Sequence, residues 1–428
     1  MRIGIVGGGI SGLVAAHRLA ERHKVTVFEA NRYIGGHTNT IDVEDPQGAV
    51  AVDTGFIVFN DRTYPGFCKF LDDLGVRSQP TEMSFSVRDD ADNLEYRGMD
   101  LAGLFAQRRN AFRPRFWKLL RDFVRFRDIA LQLADDHEEI TVRQFFQQNS
   151  FSEWFIHKYF LPMGSAVWSC PRATFETFPI RFIIDFYRNH GMLGVQERPR
   201  WHVVSGGSRE YVRALLQRLD AQIHLECPVQ SVHRRGNGVD LAVAGGRIEN
   251  FDHVVLACHA DQALRMVGGD ATATETELLS KFPYERNEVV LHTDVSLLPR
   301  RRKAWASWNY WVRGSEDEKA SVTYNMNILQ GLNTEKTYCV TLNDTSRIDP
   351  QKVLRSFVYD HPVFQAGRSR YQGRHEELID HQHISYCGAY WANGFHEDGV
   401  QSALRVARIL EKKESACGAE STRGGSIT

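Results

Sequence analysis

The chain opens on an apolar run, Arg2–Val6, of the length and composition of a buried parallel strand. Three glycines follow, and "ISGLVAAHRLAER" then repeats apolar residues at helical spacing. A second apolar run, "KVTVFEA", ends in an acid. The middle of the chain repeats this grammar: "WHVVSGGSREYVRALLQRL" predicts a glycine turn opening an amphipathic helix. After it, "AQIHLECPVQSVHRRGNGVDLAV" and "RIENFDHVVLACHADQAL" predict strands with a hairpin-like turn at 236–238. Near the end, "HISYCGAYWANGFHEDGVQSALRVARIL" predicts a buried strand, a loop, and a helix opened by Gly399. Strands alternating with helices predict an α/β fold.

Two stretches, roughly 79–195 and 270–380, break this rhythm; the first is helical and aromatic, the second alternates strand and turn. In the first, Phe112, Phe116, Leu119, Phe123, Phe126, Ala130 and Leu133 recur at steps of four and three, predicting one apolar helical face. Arg113, Lys118, Arg121 and Arg125 stand away from it, a pattern shared by ordinary core helices with a solvated back and by helices resting on an anionic membrane surface. Arg300 to Lys303, beside Trp305, form a second basic and aromatic patch.

With 428 residues, two domains are expected. A formal charge of -1 argues against a nucleic-acid binder and leaves any electrostatic partner to a local patch. The seven cysteines are scattered, without a CxxC pair or a His/Cys cluster at zinc spacing, so no metal is expected and a reducing compartment fits. An apolar strand almost at the first methionine leaves no room for a leader, and no apolar stretch reaches the roughly 20 residues that span a bilayer. The expectation is a cytoplasmic protein, attached at most to a membrane surface.

The chemistry begins with Gly7, Gly9 and Gly12. In GxGxxG spacing after a strand, the first makes the tight turn, the second admits a pyrophosphate close to the backbone, and the third lets helix and strand pack. Ile10 and Ser11 open the helix, whose free N–H groups and positive dipole end suit phosphate. Glu29, followed by Ala30, lies about 20 residues on, where a carboxylate accepts hydrogen bonds from ribose. Strand, glycines, helix, strand and acid in this order predict dinucleotide binding.

The continuation "ANRYIGGHTNT", with Gly35, Gly36, His37 and Thr38, and then "DTGF", with Gly55 and Phe56, resembles the FAD proteins of the amine oxidase and phytoene desaturase superfamily. His37 stands where that pattern usually has arginine, so a guanidinium fork is missing from the phosphate contact. The resemblance implies a discontinuous Rossmann-type FAD-binding domain (1–78, 196–269 and 381–412) and an α+β substrate domain (79–195 and 270–380), with 413–428 as a disordered tail. It also implies adenine contact through the backbone of Val229, and flavin contact from Gly388 and from a helix N-terminus at Gly399 and Val400. Cys387 does not match the position of a covalent flavin link, so FAD is expected to be non-covalent. Amine oxidases of this superfamily usually carry a tyrosine beside the flavin and a strand lysine near its N5. Phe395 takes the tyrosine's place and the matching strand, "NEVVLHTD", has no lysine. His292 and His396 are the remaining catalytic candidates.

Over nearly the whole length, "FLPMGSAVWSCP", "NHGMLG" and "HTDVSLLPRRRKAWASWNYW" resemble a bacterial group of predicted NAD/FAD-binding oxidoreductases. That group is similar to the N-terminal part of plant cyclopropane fatty acid synthases. The resemblance implies a fatty-acyl lipid substrate and a lipid methyltransferase as a possible partner. Trp168, Trp305, Trp308, Trp391 and Phe395 are the expected pocket walls. The leading expectation is an FAD-dependent oxidoreductase taking hydride from an apolar lipid. A flavin amine oxidase and a non-catalytic flavin-binding partner of a lipid methyltransferase are the alternatives.

Overall fold

The computed structural model describes every residue except 133–139, 194–198, 314–320, 366 and 424–428, and omits the side chains of 414–423. A five-stranded parallel sheet is assembled from three distant parts of the chain. Arg2–Val6 lies at its centre, with Lys24–Phe28 and then Ala221–His224 on one side, and His253–Leu256 and then Ile384–Tyr386 on the other. In register, Ile5 stands opposite both Val27 and Val255. All three are buried, as strands covered on both faces require, and each such side chain contributes about 1.5–3 kcal/mol.

The helix Ile10–Leu19 covers one face of this sheet with Leu13, Val14, Ala16 and Leu19, and packs against the last helix, His396–Arg423. That last helix corrects one expectation: residues 413–423, assigned to a disordered tail, continue as helix, and only 424–428 lie outside the described residues. The expected hairpin turn at 236–238 joins Val229–Arg235 to Gly238–Val243 in a three-stranded antiparallel ribbon.

The second sheet has seven strands. In spatial order they are Val353–Pro362, Tyr284–His292, Cys339–Leu342, Val322–Asn325, Trp308–Val312, Phe85–Asp89 and Leu94–Arg97. Every pairing is antiparallel except that of Trp308–Val312 with Phe85–Asp89. Beside it, the helices between 114 and 189 enclose an aromatic core around Phe126, Phe155, Phe160 and Phe175.

The basic helix runs Pro114–Gln132 and differs from its predicted stripe. Phe116, Leu119, Phe126 and Ala130 are buried, and Phe123 is half-buried. Phe112, however, lies in the preceding 3-10 turn and is exposed, because the helix starts only at Pro114; Leu133 is outside the described residues. Among the described residues no helix is long and apolar enough to cross a membrane. None of their His, Cys, Asp and Glu groups could hold a metal ion. The six described cysteines are free.

Candidate functional site

A cavity of about 1700 Å³ runs from the carboxyl ends of the parallel strands into the seven-stranded sheet and the aromatic helices. Single small-molecule sites occupy about 300–1,000 Å³, so this one has room for two occupants. Its two ends differ in material.

The polar end is mostly backbone. Gly7 has φ 107°, and a Cβ there would lie 2.7 Å from the Ala257 carbonyl oxygen. Gly36 has φ 61° and faces Gly9 so closely that a Cβ would fall 3.0 Å from the Gly9 Cα. Two glycine turns thus leave a trough without side chains. At its floor the helix Ile10–Leu19 begins with Gly9 as N-cap and no side-chain cap, leaving its first N–H groups for an anion. Gly7, Gly9, Ile10, Ser11, Gly35, Gly36, Gly55 and Phe56 all line the cavity. Gly12 does not; a Cβ there would run into the Gly7 carbonyl, so its role is the packing of helix on strand.

Glu29 is buried in the wall beside Ala30. Its Oε2 accepts from the Gly8 N–H at 2.8 Å, and its Oε1 accepts from the backbone and side-chain N–H of Asn31, both at 2.8 Å. A carboxylate has about four acceptor sites, so the fourth, on Oε2, remains for a ribose hydroxyl. Val229 and Gln230 line the same end, at a bulge where the pairing register shifts.

His37 sits beside the trough, its ring 5.5 Å from that of His361, 6.4 Å from His259 and 4.9 Å from Tyr359. Its Nε2 is buried without a partner. His361 accepts from Asn287 at Nδ1 (3.0 Å), which leaves its Nε2 as the proton-bearing nitrogen, and His259 stacks on Tyr284 at 4.3 Å. Burial, reinforced by its histidine neighbours, pushes His37 well below the usual histidine range. Burial lowers His259 as well and brings His361 to about 4. His259 and His361 escaped the sequence reading. His259 carried a signal, three residues past the end of the parallel strand His253–Leu256, where ligands bind, whereas His361 carried none.

Several expected contacts lie elsewhere. Thr38 turns inward, its hydroxyl 2.5 Å from that of Tyr211, which in turn meets His396 Nε2 at 2.9 Å. Gly399 packs on the first helix, where a Cβ would lie 2.8 Å from the side chains of Ile10 and Ser11. Val400 is buried in the core. The last segment reaches the cavity one turn earlier, through Gly394, Phe395 and His396, with Gly388 beside them. His396 stacks on Phe56 at 3.6 Å, and burial lowers it to about 3. Asp398 accepts the N–H groups of Phe395 (2.8 Å) and Asn393 (3.1 Å), fixing this turn, and burial raises it to about 7.

His292 is not at the cavity. Its Nδ1 accepts from the Asp294 N–H (3.0 Å) and its Nε2 meets the Thr341 hydroxyl (2.7 Å), so both nitrogens are used inside the sheet.

The other end is apolar. Trp168, Trp308 and Phe395 line it, with Leu119, Phe123 and Phe186. The indole N–H groups of Trp168 and Trp308 are buried without partners. Trp305 and Trp391 are elsewhere: the first donates to the Pro299 carbonyl (2.7 Å), and the second stacks on His375 behind the edge of the parallel sheet. No lysine lines the cavity among the described residues.

The glycine trough, the uncapped helix end, the orphaned His37 nitrogen and the spare Glu29 acceptor fit a dinucleotide such as FAD. A 4,4'-diapophytoene desaturase (4,4'-diaponeurosporene-forming) of Staphylococcus aureus (strain Newman) is 45% identical over 42 residues, only 10% of this chain and 8% of that protein. The fold is that of the cyclohexylamine oxidase from Brevibacterium oxydans IH-35A (TM-score 0.68, 16% identity, 96% of this chain and 99% of that one). It is shared with the CLA-producing fatty acid isomerase from P. acnes (TM-score 0.67, 13% identity, 96% and 98%). The family model for flavin containing amine oxidoreductase matches residues 10–289, well over half of the chain, and the chain belongs to that family.

Proposed function

We propose that this protein is an oxidoreductase that holds FAD non-covalently at the polar end of its cavity and takes a fatty-acyl lipid at the apolar end. The observation that carries the reading is the continuity of one cavity from a backbone trough to an aromatic chamber. Gly9, Gly36 and the N–H groups at Ile10 and Ser11 would hold the diphosphate, Glu29 the ribose, and Val229 the adenine edge. When bound, FAD supplies hydride acceptance from an activated carbon, with oxygen or another acceptor taking the electrons on.

The chain's own contribution is orientation and dryness. Phe186 and Phe395 stack at 5.1 Å and, with Trp168 and Trp308, exclude water from an acyl chain. The unpartnered indole N–H groups offer donors to an ester or carboxyl oxygen, a use that buried donors require. Glu82, in the cavity wall, is engaged at Oε1 with Ser84 (2.6 Å) and Arg97 (3.8 Å), which already supplies it with a cation. The likeness to a fatty acid isomerase fold, to a fragment of a desaturase, and to the oxidoreductases resembling plant cyclopropane fatty acid synthases supports the lipid, while the equal likeness to the cyclohexylamine oxidase fold keeps the amine as the second reading. The resemblance to the synthases alone is what points to a lipid methyltransferase as partner.

Anaerobic titration of the FAD-loaded protein with acyl lipids and with amines tests this. Bleaching of the flavin absorption by lipids is expected. Bleaching by amines alone makes the protein an amine oxidase, and bleaching by neither favours the non-catalytic alternative.

A further inference from the structure

The helix Pro114–Gln132 has an outer face that its buried stripe conceals. Trp117, Val124 and Leu131 are 51%, 45% and 57% exposed, and their seven-residue spacing puts them on one line along the helix. Phe112 (86%), Leu101 (74%) and Met99 (44%), in the segment just before the helix, are exposed as well. The Trp117 indole donates to the Ala111 carbonyl at 2.8 Å and its ring lies 5.7 Å from Phe105, so the pieces are joined. Six of the eleven large apolar side chains exposed among the described residues thus fall between 99 and 131, a concentration that scattered surface exposure does not produce.

Two further observations specify what meets this patch. First, it adjoins an opening of the cavity: Met99, with Gly98 and Leu104, lines the cavity while also facing outward, and the same helix turns Leu119, Leu120 and Phe123 into the cavity wall. Second, the patch is cationic. The helix carries Arg115, Lys118, Arg121, Arg125 and Arg127 against two acids. Of those acids, Asp122 is buried and accepts the Ser152 N–H at 2.8 Å, and Asp128 is paired with Arg127 at 2.8 Å. Lys118, Arg121 and Arg125 remain exposed beside the apolar line, in a protein whose net charge is -1. Exposed tryptophan and aliphatics flanked by cations are the composition of a helix that lies in a lipid interface.

We propose that this surface, Met99 to Leu131, docks on an anionic lipid bilayer and that an acyl chain passes from the bilayer past Met99 into the apolar chamber. The route rests on the acyl-lipid reading above; the docking itself rests on the patch.

The test is sedimentation of the full-length, FAD-loaded protein with phosphatidylglycerol-containing vesicles and with pure phosphatidylcholine vesicles. Binding to the anionic vesicles, weakened by salt, is expected. Each cation near the surface is worth about a fivefold change in partition, so K118Q/R121Q/R125Q should bind roughly a hundredfold more weakly. V124S/L131S should lose binding while keeping its flavin and its circular dichroism, since both side chains are about half exposed, at 45% and 57%. Wild type that ignores anionic vesicles, or variants that bind as wild type does, overturns the docking. A detergent-dispersed fatty acid separates the two readings. If it bleaches the flavin while vesicles do not bind, docking is wrong and the lipid chemistry stands. If vesicles bind as expected but neither they nor the dispersed acid bleach the flavin, docking stands and the lipid-substrate reading falls.

Discussion

The two ends of the cavity are built on different principles. The polar end relies on the main chain: glycines that keep side chains out, a helix start without a cap, and one carboxylate fixed by three N–H groups. The apolar end relies on side chains delivered by elements far apart in sequence, such as Phe123, Trp168, Trp308 and Phe395. A main-chain site tolerates almost no substitution but any surrounding. A side-chain site tolerates exchange of its walls, and a new wall means a new substrate. On the reading proposed above, the difference teaches that the main chain stores the choice of cofactor and the side chains store the choice of substrate.

The sharpest way to break this comparison is Gly12→Val. The added branch meets the Gly7 carbonyl and the Ala257 side chain, and neither strand nor helix can yield, so a loss of about 4 kcal/mol or more is expected. Thermal unfolding of the purified variant checks it, and near-wild-type stability would show the trough to be pliant.

Next in size is Glu29→Ala. Losing a charge-assisted acceptor costs about 1.5–3 kcal/mol, or about one to two decades in FAD affinity, measurable by flavin fluorescence on dilution. Unchanged affinity would move the ribose elsewhere.

The third prediction uses the histidines at the border between the two ends. His37, His259 and His361 are held neutral by burial, with His361 at about 4. Their folded values lie below that of an unfolded histidine, so the unfolded chain binds more protons between about pH 4 and 6.5. Stability of the cofactor-free protein is therefore full above 6.5 and falls as the pH drops through that window, by about 1.4 kcal/mol for each unit of separation. A bound diphosphate favours the protonated rings, so FAD should offset part of that loss. Urea midpoints with and without FAD at several pH values test both signs. His37→Arg, which supplies the permanent guanidinium, should reduce the pH dependence of FAD affinity; an unaltered pH profile would remove His37 from the phosphate site.

The smallest expected effect is the most instructive. Phe395→Ala should leave FAD affinity within about twofold while changing which acyl chains bleach the flavin, because Phe395 belongs to the side-chain end. A large loss of FAD would erase the division between the two ends.

The same division explains what the sequence could reveal. Glycine spacing, an apolar strand and a following acid are local, so Gly7, Gly9, Glu29, Gly35 and Gly36 could be placed in the cavity from the sequence. Helix phase was harder: Gly399 and Val400 were expected where Phe395 and His396 stand, because the last helix begins three residues earlier than its glycine suggests. Aromatic residues carried no direction. Trp168 and Trp308 reach the chamber, while Trp305 and Trp391 pack elsewhere, and nothing local distinguishes the pairs. His292 shows the same blindness in a strand, where the side facing Thr341 is decided by pairing 49 residues away.

The position of Ile384–Tyr386 in the parallel sheet has a temporal consequence. Residues 7–383 are made between the central strand and this edge strand, so throughout that interval the sheet lacks its edge and the first helix lacks the helix it packs against. At about 5–20 residues per second that wait lasts on the order of tens of seconds, with an apolar edge unpaired throughout. Completion of the cavity is therefore late, and a chain cut short before residue 384 lacks Gly388 and the turn Gly394–His396 in its wall.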